Sequence, residues 1–256
     1  MNMLRFLLMK FAVPVPDITK YDRFLFIGPH PDDIEIGAGA TAARLAAEGK
    51  SVCFLICTDG RYGDGFTELR GDALAECRKH ESLESAKMLG VKEVRFLGLS
   101  DGGFYETDAL IRGITKVVGD FRPEVIFAPD PCVTSECHQD HLNVGLAARK
   151  IACFAPYAHV MEHYGAHHAD VKALAYYFTA KGNCFVGTKG YRDKQLASIF
   201  DCHQSQFPSN GAEGKSIALY LKLRSIYYGI KSFRGSAEAF RVLGQTHMHC
   251  FPEGGD

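Results

Sequence analysis

The chain has 256 residues, 46% of them hydrophobic, and a formal net charge of −1 at pH 7. That is enough apolar material for the packed core of one α/β domain. The balanced charge and the absence of a Lys/Arg stripe exclude a general affinity for nucleic acid. Nine cysteines, scattered without the spacing of a disulfide scaffold, read as free thiols in a reducing cytoplasm. No run approaches the ~18 apolar residues needed to span a bilayer, so no membrane partner is expected. Lys10 interrupts the apolar stretch from Met1 to Val13 and no small-residue cleavage site follows, which argues against a secretory signal.

Phe24 to Ile27 is a short apolar run closed by Gly28, the pattern of a buried strand ending in a turn. His30, Pro31, Asp32 and Asp33 follow directly, and Pro31 stiffens that turn by fixing its own φ and biasing His30 toward extended backbone. Ala38 to Glu48 is alanine-rich and closes at Gly49, as a helix with a C-terminal glycine does. Ser51 to Cys57 is near-continuously apolar and fits a parallel strand covered on both faces. Cys53 and Cys57 share one face of it about 13 Å apart, too far for one metal or a disulfide, and read as buried apolar-like side chains. Thr58-Asp59-Gly60 opens a polar, glycine-rich loop to about Gly71, and a helix from Asp72 to Leu89 ends at Gly90. Glu93 to Leu97 is the third strand, Ser100-Asp101-Gly102-Gly103 its loop, Ala109 to Val118 a helix, and Glu124 to Ala128 the fourth strand.

Beyond Pro129-Asp130-Pro131, the run Glu136-Cys137-His138-Gln139-Asp140-His141 leads into a helix that reaches about Phe154. Pro156 to Asp170 is irregular and reads as an insertion or lid, with His159, His163, His167 and His168 as surface histidines. Ala173 to Phe178 and Ala239 to Leu243 read as strands, Tyr191 to Cys202 and Lys215 to Ile230 as helices. His247 and His249, if placed in a strand, would share a face and complete a site, perhaps a neighbouring subunit's. Strands and helices alternating this regularly argue right-handed βαβ units. The expected fold is α/β: a Rossmann-like, doubly wound, mainly parallel sheet with helices on both faces. No linker is evident, so residues 1–256 read as a single domain, with 1–20 an N-terminal extension and 156–256 the lid and C-terminal part.

Two strand-end loops carry the chemistry. Open α/β sheets bind ligands at the carboxyl ends of their strands. If both strands lie parallel in one sheet, both loops leave the same edge and can meet. Imidazole and carboxylate suit zinc, and three protein ligands with one open position is the arrangement of catalytic zinc. His30, Asp33 and His141 are therefore the expected ligands of one Zn2+ per subunit. Asp32 and His138 are left free for chemistry. Asp140 is better placed to orient a histidine than to bind metal. The bland alternative is a polar loop whose aspartates cap the next helix.

His30-Pro31-Asp32-Asp33 with His138-Gln139-Asp140-His141 resembles the PIG-L/LmbE-like zinc deacetylases. Further matching pieces are Thr58-Asp59-Gly60, Arg78 with Glu81, Phe127-Ala128-Pro129 and Ser205-Gln206-Phe207-Pro208. Ile34 departs from the commonest form of the first motif, which has Glu there; here Glu35 comes one residue later. Within the family the chain looks most like the chitobiose and chitooligosaccharide deacetylases, and next like those of bacterial thiol biosynthesis. The resemblance implies removal of acetyl from N-acetylglucosamine units, hence a small amino-sugar substrate, and an oligomer such as a trimer or hexamer. For such an amide hydrolysis Asp32, beside a ligand, could accept the water's proton and deliver it to the leaving nitrogen. His138 could donate to the developing oxyanion. The resemblance implies these same roles and puts Arg78 at the sugar. Asp101 is a further candidate for sugar hydroxyls, His249 for the substrate, and Asp59 for support of the first loop.

Three rivals stand beside this reading. Gly37-Ala38-Gly39 fits the start of a dinucleotide fingerprint, yet nine residues separate it from the strand end. A metallo-β-lactamase-like reading of Glu136 to His141 leaves the first loop unexplained. A metal-binding protein without catalysis leaves Asp32 and His138 without purpose.

Overall fold

A computed structural model describes residues 7–208 and 211–250; the first six residues of the expected N-terminal extension lie outside that range. Seven strands form one sheet in the order β3-β2-β1-β4-β5-β7-β6. They are β1 (Arg23–Gly28), β2 (Ser51–Thr58), β3 (Glu93–Leu99), β4 (Val125–Pro129), β5 (Ala173–Tyr177), β6 (Cys184–Gly187) and β7 (Ala237–Gly244). The first five run parallel; β7 is antiparallel to both β5 and β6. The helices used below are α1 (Asp33–Ala47), α2 (Gly71–Leu89), α3 (Thr107–Phe121), α4 (Gln139–Phe154), α5 (Ala158–His163), α6 (Arg192–Phe200), α7 (Ala212–Lys231) and α8 (Gln245–Cys250). The α/β, doubly wound fold expected from the strand and helix pattern is the one observed.

Continuous apolar strands require cover on both faces, and two cores supply it. Leu25, Ile27, Leu55 and Ile126 point to the side of α3 and α4, where Ile114, Val144 and Ile151 meet them. Phe24, Phe26, Phe54 and Phe127 point to the side of α1 and α2, where Ala38, Ala42, Ala86 and Leu89 meet them. The Phe26 and Phe127 rings stack 4.2 Å apart across the β1–β4 pair. Truncating one such buried ring to alanine costs ~3–5 kcal/mol. This pair of central strands is almost wholly buried, and it is the pair from which the two histidine-bearing loops spring. The chain winds from β1 outward through β2 to β3, then returns to β4 on the other side of β1. The carboxyl ends of β1 and β4 therefore flank the crevice where strand order reverses.

The two strands expected after residue 156 are present as β5 and β7, and β6, too short to carry a readable periodicity, completes the sheet beside them. Three expectations are corrected. Pro156 to Asp170 is not a lid. It contains α5, and the segment packs at the amino end of the strands: the His167 backbone lies against Gly119, and Lys172 donates to the Glu124 carbonyl. A crossover to a parallel strand must return to that edge before β5 can start. His247 and His249 lie in a helix, α8, with His247 held between the Gly244 amide and the Val13 carbonyl. Finally, Gly37 and Gly39 sit inside α1 and not at a strand–helix turn. A Cβ on Gly37 would come 2.2 Å from the Tyr177 ring, so that glycine serves helix–sheet packing and no phosphate cradle forms there.

Candidate active site

The turn between β1 and α1 places the first set of side chains. Asp33 folds back on the turn, its Oδ2 accepting the His30 amide at 2.8 Å and lying 3.1 Å from His30 Nδ1. Asp32 occupies the helix N-cap at φ 116°, a conformation costly for any residue but glycine. It makes no side-chain cap bond there. The bland helix-capping reading therefore fails for both aspartates. Below the turn, the Thr58 amide and hydroxyl both donate to the Pro29 carbonyl, at 2.9 and 2.8 Å. Asp59, expected to support this loop, instead pairs with Arg61 at 2.6 Å.

The loop after β4 and the start of α4 supply the rest. His141 Nε2 lies 3.3 Å from Asp33 Oδ1, across more than a hundred residues of chain, and its Nδ1 lies 2.9 Å from Glu136. His30 Nε2 lies 3.0 Å from Asp140 Oδ2. Asp140 is fully buried and also accepts the Gly102 and Gly103 amides at 2.7 and 2.8 Å. Both glycines have left-handed backbone, φ 74° and 76°, which turns successive amides toward one carboxylate. His138 caps α4: its Nδ1 accepts the Asp140 amide at 3.3 Å. That bond assigns the ring proton to Nε2 in the neutral tautomer.

The charges follow from this geometry. Burial alone would suppress the charge on His30, but hydrogen bonds to Asp140 and Asp33 raise its pKa to about 10. His141 goes up to about 9, burial again being outweighed, here by Asp33. Asp33 resists its own burial through His141 and His30 and lies well below the usual carboxylate range; Asp140, likewise opposed by burial, falls to about 2 through His30 and the Gly102 amide. Asp32 is different: burial pushes it up to about 6 despite the Arg78 guanidinium. His138 is lowered by burial and by the neighbouring His30 and His141 charges. The site thus holds one carboxyl poised near neutrality and one imidazole kept neutral.

The donor set fits a divalent cation. A four-coordinate zinc with bonds of ~2.0–2.1 Å has ligand–ligand edges of ~3.3 Å. His30 Nδ1 lies 3.1 Å from Asp33 Oδ2 and His141 Nε2 lies 3.3 Å from the other oxygen, Asp33 Oδ1, so each histidine stands at such a spacing from the carboxylate. Each imidazole has its other nitrogen against a carboxylate, the arrangement that orients metal-bound histidines. His138 also brings a ring nitrogen within 4.8 Å of those of His30 and His141. A cation entering would displace the protons these groups share.

The remaining expected residues fall in three places. Arg78 is 4% exposed, its Nη2 donating to the Pro31 carbonyl at 2.8 Å and to Asp32 at 3.2 Å, its Nη1 to the Gly60 carbonyl. It stands behind Asp32 and makes no exposed pair with Glu81, whose carboxylate instead accepts the Ser205 amide and hydroxyl. Asp101, 5% exposed, accepts the Tyr62 amide and ties the third loop to the second. His249 is not brought to the site. Its Nε2 lies 3.3 Å from Tyr157 Oη and 3.7 Å from Cys153 Sγ, and Cys153 is twelve residues, about 18 Å, along α4 from His141. The search by sequence missed His203, fully buried, its Nε2 3.3 Å from Glu35. Glu35 is also bonded to the Ser85 hydroxyl. The signal lay in Ser205-Gln206-Phe207-Pro208, which begins two residues beyond His203.

A Rossmann-like sheet with a histidine–carboxylate cluster at its switch point is an α/β architecture whose site could hold a divalent metal, and the comparisons narrow it. The family model for GlcNAc-PI de-N-acetylase, PIG-L, matches residues 25–152, half of the chain. The chain belongs to the PIG-L family. It is 32% identical over 246 residues to a diacetylchitobiose deacetylase of Thermococcus kodakarensis, covering 95% of this chain and 90% of that one. It is 31% identical over 211 residues to a 1D-myo-inositol 2-acetamido-2-deoxy-alpha-D-glucopyranoside deacetylase of Kineococcus radiotolerans, covering 75% of this chain and 57% of the other. Among solved structures, the N,N'-diacetylchitobiose deacetylase of Pyrococcus horikoshii superposes with a TM-score of 0.82 at 29% identity, over 95% of each chain. Among the described residues no helix is long and apolar enough to cross a membrane.

Proposed function

We propose that this chain is a metal-dependent hydrolase that removes the N-acetyl group from an N-acetylglucosamine-containing small molecule or short oligosaccharide such as diacetylchitobiose, releasing acetate. The observation that carries the reading is one constellation at the β1–β4 crevice: His30, Asp33 and His141 at metal-ligand edges, with Asp32 and His138 beside them. His30, Asp33 and His141 would hold the cation, with zinc the metal that this ligand set suits. His138 is the less suited third ligand, because its Nδ1 is engaged as a helix cap and half of its side chain is exposed. When bound, the cation supplies an activated water and polarises the acetyl carbonyl.

The protein's own groups do the rest. Asp32, poised near neutrality, accepts the proton of the attacking water at Oδ and returns it to the amide nitrogen as the C–N bond breaks. Arg78 fixes the rotamer of Asp32 through the 3.2 Å contact and the Pro31 carbonyl. His138, protonated at Nε2, donates to the oxygen on which negative charge develops. Asp140 orients His30, and Glu136 orients His141. Acetate and a free amine leave.

The test is acetate release from N-acetylglucosamine, diacetylchitobiose and the inositol glycoside named above, before and after chelation, with metal content measured on the same sample. Release that stops on chelation and returns with added divalent metal is expected. Release from none of the three by the metal-loaded chain would sink the reading.

A further inference from the structure

A second cavity opens beside the cluster. It has a volume of about 430 Å3, the size of a small-molecule site, and its lining includes Glu136, Phe178, Tyr220, Arg224 and Tyr228. Two of these residues touch the proposed metal ligand His141 directly. Glu136 lies 2.9 Å from its Nδ1, and the Phe178 ring lies parallel to the imidazole, 5.9 Å away at 8°. The cavity therefore adjoins the cluster at His141, on the side of its Nδ1, and runs outward toward α7.

The far wall is built for contact. Tyr220, Arg224 and Tyr228 recur every fourth residue of α7 and so share one helical face. The Arg224 guanidinium lies 5.4 Å over the Tyr220 ring while its Nη2 donates to the Ile36 carbonyl at 3.2 Å, which fixes it in place. Tyr220 is 57% exposed, an open ring face beside a cleft. On the near wall, Phe178 holds a left-handed backbone, φ 54°, that a phenylalanine adopts only under constraint from its surroundings. The Tyr177 ring packs edge-on against it, 4.8 Å away. Rings on two walls with an anchored guanidinium and a carboxylate between them suit a polyhydroxylated six-membered ring. Its apolar C–H faces lie on the aromatic surfaces, and its hydroxyls meet the charged groups.

We propose that this cleft binds the second ring of a two-ring substrate, the ring that carries no reacting acetyl group, and that Tyr220 sets the preference for two rings over one. The proposal rests on the deacetylase reading above and extends it. The second ring can be another amino sugar or an inositol, and the substrates tested tell these apart.

The experiment compares kcat/KM for N-acetylglucosamine, diacetylchitobiose and the inositol glycoside in wild type, Tyr220→Ala and Tyr220→Phe. In Tyr220→Ala the two-ring to one-ring ratio falls about tenfold, carried by KM, as losing an aromatic contact of ~1.4 kcal/mol requires; Tyr220→Phe restores it. A fall for only one two-ring substrate identifies the second ring. A ratio within twofold of wild type for both overturns the proposal. Calorimetric binding of diacetylchitobiose in an Asp32→Asn background separates the two readings. Tenfold weaker binding on adding Tyr220→Ala supports the cleft even if the wild type releases no acetate, in which case only the deacetylase reading falls. No binding in that background, or binding unaffected by Tyr220→Ala, overturns the cleft alone.

Discussion

The turn after β1 and the loop after β4 each deliver half of the site, and they are built in opposite ways. The first is short and sealed: His30, Asp32 and Asp33 are all under 9% exposed and are braced from below by Thr58 and Arg78. The second is longer and open, with Cys132, Cys137 and His138 exposed, and it is moored at its start by the buried Asp130–Arg241 pair, 2.5 Å apart. On the function proposed above, the closed side holds the proton acceptor Asp32, whose pKa burial raises. The open side then holds the oxyanion donor His138 and borders the cleft toward α7. Burial on one side would then tune chemistry, while exposure on the other would admit substrate.

This contrast can be tested from both sides. Asp32→Asn should lower kcat by 10²–10⁴-fold with metal content unchanged, since it removes a proton acceptor and no ligand; loss of metal along with activity would instead make Asp32 structural. Arg241→Ala should destabilise the fold by about 3–5 kcal/mol by leaving the buried Asp130 charge without its counter-ion, while it keeps the Thr179 hydroxyl and Cys132 amide bonds. Its urea midpoint should fall accordingly, and a midpoint close to wild type would show the open loop to be moored elsewhere. Asp140→Asn should weaken metal affinity 10–100-fold, read by competition with a chelator, because His30 loses its orienting carboxylate.

The smallest effect is on acid sensitivity. Burial would raise the Asp130 pKa, but the Arg241 and Thr179 hydrogen bonds hold it below the ordinary carboxylate value. A carboxyl depressed in the folded state contributes stability that is present above its unfolded pKa and lost as pH falls through the folded one. The stability gap between wild type and Asp130→Asn should therefore narrow below about pH 4, measured as urea midpoints at two pH values. A gap constant between pH 6 and pH 3 would mean that Asp130 stabilises by shape and not by charge.

What was legible in the sequence tracks this same contrast. The β1 turn could be read because apolar run, glycine, histidine, proline and paired aspartates follow one another within ten residues. The pairing of its residues with Asp140 and His141 needed only the inference of a parallel sheet. By contrast, Arg241 answers Asp130 from 111 residues away in no recognisable pattern, and His203 answers Glu35 from 168, two residues short of the one motif that could have pointed to it. The Gly102–Gly103 pair reads as a loop, yet its grip on Asp140 exists only once two loops are folded together. The histidines of α8 were misplaced because a six-residue helix and a short strand cannot be told apart by periodicity alone.

The contact between His30 and Asp140 spans 110 residues of chain and joins adjacent central strands. An ion seated among those groups is therefore a clasp between early and late segments of the polypeptide, not a staple within one turn. Its affinity should be inherited by the whole molecule: at a hundred times its dissociation constant it adds about 2.7 kcal/mol to global stability. If such an ion also serves the proposed reaction, turnover and persistence of the fold should rise and fall together with its concentration.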